Sequence, residues 1–165
     1  MNEKINNLTI IRTDLLRLAF RETIIKDHTT NTNLVKQNPD YINYILSYYN
    51  YANKYDVEYT KVIDTVDFEP KDSKLFDNSI TICLGYPTIT PEEVINNWRK
   101  YDTDLDWTKN KSDKELIKIA EAEIENSKRL LQECKKHDVT FIDTSFNRED
   151  KLKKLLENII KIIRD

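Results

Sequence analysis

A single glycine, Gly85, occurs in 165 residues, and it narrows what this chain can fold into more than any other feature. Glycine-rich loops of the G-x-x-x-x-G-K-[ST] kind hold phosphates by bringing backbone N–H groups against the anion, which needs glycines at set spacings. No such loop can be drawn from this sequence. Gly85 follows the apolar run Ser79-Ile80-Thr81-Ile82-Cys83-Leu84 and precedes Tyr86-Pro87, so it marks the end of a strand and not a phosphate cradle.

Composition bounds the rest. The length suits one domain with a real core, and 33% charged against 39% apolar residues, with a mean hydropathy of -0.68, describes a well-solvated surface around a modest interior. A formal charge of -3 leaves no electrostatic footprint for nucleic acid, although a local basic pocket is compatible with it. Cys83 and Cys134 form no CxxC pair and only two histidines are present, so no metal motif emerges and reduced cysteines are expected. The first residues lack an apolar leader, and no run approaches the ~18 apolar residues of a bilayer span. A cytoplasmic protein with no membrane partner is the expectation.

Apolar periodicity divides the chain into alternating strands and helices. Leu8–Arg12 reads as a strand passing into a helix that Thr13 or Asp14 caps. Residues 26–38 are polar and loop-like. Pro39 and Asp40 open a helix with Tyr41, Tyr44, Tyr48, Tyr51 and Tyr55 at spacings of three and four, joined by Ile45 and Ala52, which predicts an amphipathic core helix. Tyr59–Asp64 is the next strand. Ser79–Leu84, apolar on both faces, reads as an inner strand of a parallel sheet.

Two helix starts stand out. Thr90-Pro91-Glu92-Glu93 and Ser112-Asp113-Lys114-Glu115 are capping boxes, the first with proline at the first helical position. Between them Trp98 to Trp107 is charged and aromatic, with the character of a flap. A helix from Lys114 to about Lys136 presents Leu116, Ala120, Ile124, Ser127, Leu131 and Cys134 on one face, Val139–Asp143 is a last strand, and a final helix carries Leu152, Leu155, Leu156, Ile159, Ile160 and Ile163. The alternation predicts an α/β fold with a mainly parallel sheet flanked by helices, in one domain over residues 1–165 with a lid-like helical segment at about 90–136.

Taken in order, Ile10-Ile11-Arg12-Thr13-Asp14-Leu15-Leu16-Arg17, Val62-Ile63-Asp64-Thr65-Val66-Asp67-Phe68-Glu69-Pro70, Thr81-Ile82-Cys83-Leu84-Gly85-Tyr86-Pro87 and Phe141-Ile142-Asp143-Thr144-Ser145 resemble the successive strand ends of P-loop small-molecule and nucleotide kinases, a group that includes adenylate, shikimate and 2-phosphoglycerate kinase-like proteins. The resemblance implies that Asp14, Asp64 and Asp67 are the acidic residues near the phosphoryl acceptor and magnesium. It implies that Arg17, Arg21, Arg99 and Lys100 hold an anionic substrate or neutralise charge in the lid, and that Ser145, Asn147 and Arg148 border the adenine. Each has a plainer alternative: helix capping for Asp14, solvated helical positions for Arg17, Arg21, Arg99 and Lys100, and turn chemistry before Pro70 for Asp64 and Asp67.

The departure from that family is the missing opening strand, phosphate loop and helix. Ten residues precede Ile11, and the strand they lack usually lies in the middle of the sheet. Three readings follow. The first is a degenerate or truncated P-loop kinase-like protein without autonomous phosphotransfer, acting as a ligand-binding or protein-interaction domain. The second is an active ATP-dependent kinase whose loop lies elsewhere, which would require Mg-ATP. The third is a non-catalytic interaction module or inhibitor. The expected partners are another protein or a second copy at an open sheet edge, or an anionic small molecule.

Overall fold

A computed structural model describes residues 8–12, 20, 38–55, 60–77, 79–104 and 106–164. The chain is α/β, and its contacts group it into two compact units, Met1–Asp77 and Asn78–Asp165.

In the first unit, β1 (Leu8–Arg12) and β2 (Thr60–Asp64) pair in parallel, in register from Leu8 opposite Thr60 to Arg12 opposite Asp64. Helix α1 (Pro39–Tyr55) starts where the Asn38 side chain accepts the Asp40 N–H at 2.9 Å, satisfying one of the first-turn donors that have no partner within the helix. Tyr41, Ile45 and Tyr49 are its buried stripe, at i, i+4 and i+8, and Phe20 closes over it with its ring edge-on to Tyr41 at 5.4 Å. Phe76 stands edge-on to both Tyr49 and Phe68 at 5.0 and 4.8 Å, and the Tyr49 hydroxyl donates to the Asp77 carbonyl at 2.9 Å. The aromatic stripe expected to form the core is only partly inside. Tyr44, Tyr48, Tyr51 and Tyr55 are exposed, the last at 72%. On a helical wheel of 100° per residue they lie beside the Tyr41–Ile45–Tyr49 face and not on it.

In the second unit, β3 (Ile82–Gly85) and β4 (Thr140–Asp143) pair in parallel, with Gly85 opposite Asp143. Their crossover contains α2 (Pro91–Tyr101) and α3 (Asp113–His137). Both capping boxes form. Thr90 Oγ1 accepts the Glu93 N–H while Glu93 accepts the Thr90 N–H, and Ser112 and Glu115 do the same. Helix α3 ends at Asp138, whose left-handed φ of 56° turns the chain into β4. Ile89, Val94 and Ile95 meet Leu116, Ala120 and Ile124 in the core of this unit, and α3 continues onto the two strands. Helix α4 (Arg148–Arg164) follows Asn147, which also has a positive φ, 53°.

Two features differ from the sequence reading. Among the described residues the strands form two separate parallel pairs, β1–β2 and β3–β4, in place of one larger sheet. The run at Ser79–Leu84 is shifted: β3 begins only at Ile82, where its ladder with the four-residue β4 begins, and Leu84 is 47% exposed. An apolar run does not make an inner strand without a neighbour on both sides.

Candidate functional site

In parallel α/β sheets ligands meet the carboxyl ends of the strands, and in the second unit those ends are laced together. The Gly85 carbonyl accepts both the Thr144 N–H (2.7 Å) and the Thr144 hydroxyl (2.9 Å). The Ser145 N–H donates to the Asp143 carboxylate at 2.8 Å, and the Thr88 N–H donates to the Ser145 hydroxyl oxygen at 3.1 Å. One turn into α4, Lys151 Nζ donates to the Asp143 carbonyl at 2.5 Å. Burial alone would raise the pKa of Asp143, but hydrogen bonds from Ser145 and Thr88 and the charge of Lys151 outweigh it and hold the carboxyl below its ordinary range. Beside β3, burial and the nearby Glu123 push the Tyr86 phenol up, with Arg148 opposing them.

Gly85 is the hinge of this packing. A Cβ there would lie 2.7 Å from Phe141 Cζ and 3.2 Å from Ser127 Oγ. The absent side chain lets the Phe141 ring and α3 close on the strand.

The alternate strand residues Ile82 and Ile142, with Ile80 before the strand, line a groove of about 480 Å³ with Leu155, Ile159 and Ile162 of α4. Thr140, Asp143, Lys151, Lys154 and Asn158 are its polar members. It is a mainly apolar groove, and the Asp143 and Lys151 that border it are engaged in the strand-end network. Among the described residues no group of three or more His, Cys, Asp or Glu is placed to hold a metal ion. No helix there is long and apolar enough to cross a membrane.

The residues singled out from the sequence separate into the two units. Asp14, Arg17 and Arg21 lie outside the described residues. Asp64 ends β2 with an exposed side chain. Asp67 is buried, 8% exposed: its carboxylate accepts the Tyr41 hydroxyl at 2.7 Å and its N–H donates to Thr65 Oγ1 at 3.0 Å.

Arg99 is exposed, but its guanidinium is engaged within its own unit. Its guanidinium donates to the carbonyls of Thr108 (3.0 Å), Lys109 (3.4 Å) and Lys111 (2.6 Å) and to the Asp113 carboxylate (3.1 Å), with Asp102 at 3.7 Å. Lys100 is exposed, its Nζ 5.0 Å above the Tyr101 ring, and the hydrogen bond with Tyr101 raises its pKa. Ser145, Asn147 and Arg148 share the β4–α4 connection. Ser145 is buried in the strand-end clasp, Asn147 supplies the positive-φ turn, and Arg148 begins α4.

Sequence reasoning missed Thr88, Asp143, Thr144 and Lys151 as one network. The only local trace was the polar Asp143-Thr144-Ser145 run closing an apolar strand; Thr88 and Lys151 join it solely through the fold. No protein-family model matches the chain, and no curated protein and no solved structure is similar to it.

Proposed function

We propose that this chain is a P-loop-kinase-like α/β protein without a phosphate loop of its own, acting as a ligand-binding or protein-interaction domain and not as an autonomous phosphotransferase. The engagement of Arg99 carries the reading. The guanidinium that the resemblance assigns to a transferring phosphate is committed to three carbonyls and a carboxylate of its own unit. An arginine that neutralises a phosphoryl group in the transition state must reach it with its N–H donors free.

The Ser145 hydroxyl, assigned by the same resemblance to the nucleotide border, accepts the Thr88 N–H. The single glycine of the sequence is occupied in strand packing. Interaction capacity remains elsewhere. Parallel sheets ordinarily have many strands covered on both faces, whereas β3–β4 is two-stranded among the described residues and carries exposed Leu84, with exposed Ile80 just ahead of β3. Addition of a strand to such an edge is a common way to bind a partner chain.

Isothermal titration with Mg-ATP tests the catalytic half of the reading. Heats indistinguishable from dilution at micromolar protein are expected. Micromolar affinity would overturn it in favour of an active kinase. For the interaction half, sedimentation across a concentration series should show association with itself or with a retained partner. A strictly monomeric species that retains nothing would remove strand addition.

A further inference from the structure

In the segment 106–111 between α2 and α3, three backbone carbonyls converge on one side chain, that of Arg99. The helices on either side are complete without it: α2 closes with the Asp102 N–H on the Trp98 carbonyl at 2.8 Å, and α3 opens with its own Ser112–Glu115 box. Within the segment, turn hydrogen bonds run from Lys109 N to Asp106 O and from Lys111 N to Thr108 O, both at 3.1 Å. At its start the Asp106 carboxylate accepts the Thr103 N–H and hydroxyl at 2.6 and 2.8 Å, and Lys109 Nζ lies 3.9 Å from Asp104. Arg99 takes the Thr108, Lys109 and Lys111 carbonyls, the Thr108 hydroxyl donates to Asp102 at 2.5 Å, and the Trp107 ring meets the Trp98 edge at 5.7 Å.

Only arginine can serve so many acceptors at once, because its planar fork carries five donors in fixed directions. The hub also sets one cation against two carboxylates, Asp102 and Asp113. Asp102 has a side chain only 7% exposed, and its Oδ2, which accepts no hydrogen bond, faces the guanidinium at 3.7 Å. Withdrawing Arg99 would leave that buried carboxylate uncompensated and the part-buried Thr108 carbonyl without this donor, a cost relieved when the short segment lifts and water reaches both.

We propose that residues 106–111 form a strap latched by Arg99, which opens as a unit, with α2 and α3 still helical, when the guanidinium is withdrawn. Opening swings Trp107 off Trp98 and releases Arg99 from its own backbone. Arg99 is a positioning residue in this device, and the inference stands apart from any kinase ancestry.

Limited trypsin digestion at Lys109 and Lys111, followed with tryptophan fluorescence, tests it. Trp98 and Trp107 are the chain's two tryptophans, so the emission reports Trp107 of this segment together with the α2 residue it packs against. Arg99→Gln should be cut there roughly ten- to a hundred-fold faster than the unaltered protein, the range expected for lost charge-assisted hydrogen bonds. Its emission should shift to the red while its helical circular dichroism stays unchanged. Arg99→Lys, which keeps the charge near Asp102 but not the fork, should fall between the two. Equal cleavage rates in Arg99→Gln and the unaltered protein would overturn the latch. So would cleavage that accompanies loss of the helical signal, since the arginine would then support the whole unit. If Arg99→Gln does not fold, hydrogen exchange on the unaltered protein decides: Lys109 and Lys111 amides should exchange well before those of Leu116 and Ala120, and equal rates would refute a separately opening strap.

Discussion

Replacing Gly85 with alanine puts a methyl group where the structure leaves no room. The new Cβ would stand 2.7 Å from Phe141 Cζ, 3.0 Å from Cε2 and 3.2 Å from Ser127 Oγ, against the 3.5–4.0 Å of an ordinary carbon contact. The closest atoms are the far end of a half-buried ring, so the ring moves before the backbone does. Overpacking of this kind costs about 1–3 kcal/mol. An opposing term comes from the unfolded chain: Gly85 does not have a positive φ, so alanine fits the backbone, and its smaller unfolded-state entropy returns about 0.4–1 kcal/mol.

The clash wins, leaving a net destabilisation of about 0.5–2 kcal/mol. Urea unfolding followed by far-ultraviolet circular dichroism measures it, and the melting temperature should drop by about 2–4 °C for each kcal/mol lost. Phe141→Leu removes the two ring atoms nearest the new methyl. The Gly85→Ala, Phe141→Leu double variant should therefore lose less than the sum of the two single changes, by at least about 0.5 kcal/mol. A Gly85→Ala protein as stable as the parent, or strict additivity in the double variant, would refute the close-approach role of this glycine.

Tyr41→Phe removes the hydroxyl donated to buried Asp67 and should cost about 1–3 kcal/mol in thermal or urea unfolding; an unchanged midpoint would show that this hydrogen bond adds nothing net. Asp143 carries a pH dependence of defined sign. Its folded pKa lies below the ordinary 3.8, so its contribution is complete above that value and drains away as the pH falls through the folded pKa. Stability between about pH 5 and 3 should fall more steeply in the parent than in Asp143→Asn, and parallel acid limbs would contradict the Ser145 and Lys151 contacts as its cause.

The parts of the fold that were legible in the sequence are those set by near neighbours. The Thr90–Glu93 and Ser112–Glu115 boxes close within a span of three residues, so their hydrogen bonds need no tertiary partner, and both appear as expected. The face of α3 was equally plain: Leu116, Ala120, Ile124, Ser127 and Cys134 are buried as their spacing implies, and Leu131 is half-buried. The tyrosines of α1 were misplaced because a row of like residues at helical spacing names a face without saying which face meets the core. Phe20 and Phe68 select Tyr41 and Ile45, Phe76 meets Tyr49, and none of the three is near α1 in sequence. For the candidate site, Arg99 and Ser145 were picked out as polar residues of interest, but their partners, Lys111 twelve residues on and Thr88 fifty-seven residues back, depend on chain reversals that no local pattern encodes.

Read alone, the sequence determined the alternation of strands and helices, the helix starts, and the lack of a glycine-rich phosphate loop. All three follow from side-chain periodicity, short-range capping and the count of one residue type. The tertiary structure decided the rest: that the described strands pair two by two, that Arg99 latches a turn, and that the one glycine is needed where β3 meets Phe141 and α3. Those are matters of which surfaces meet across distant stretches of chain. The same physical chemistry acts in both, but only folding brings the second set of groups within its few-ångström range.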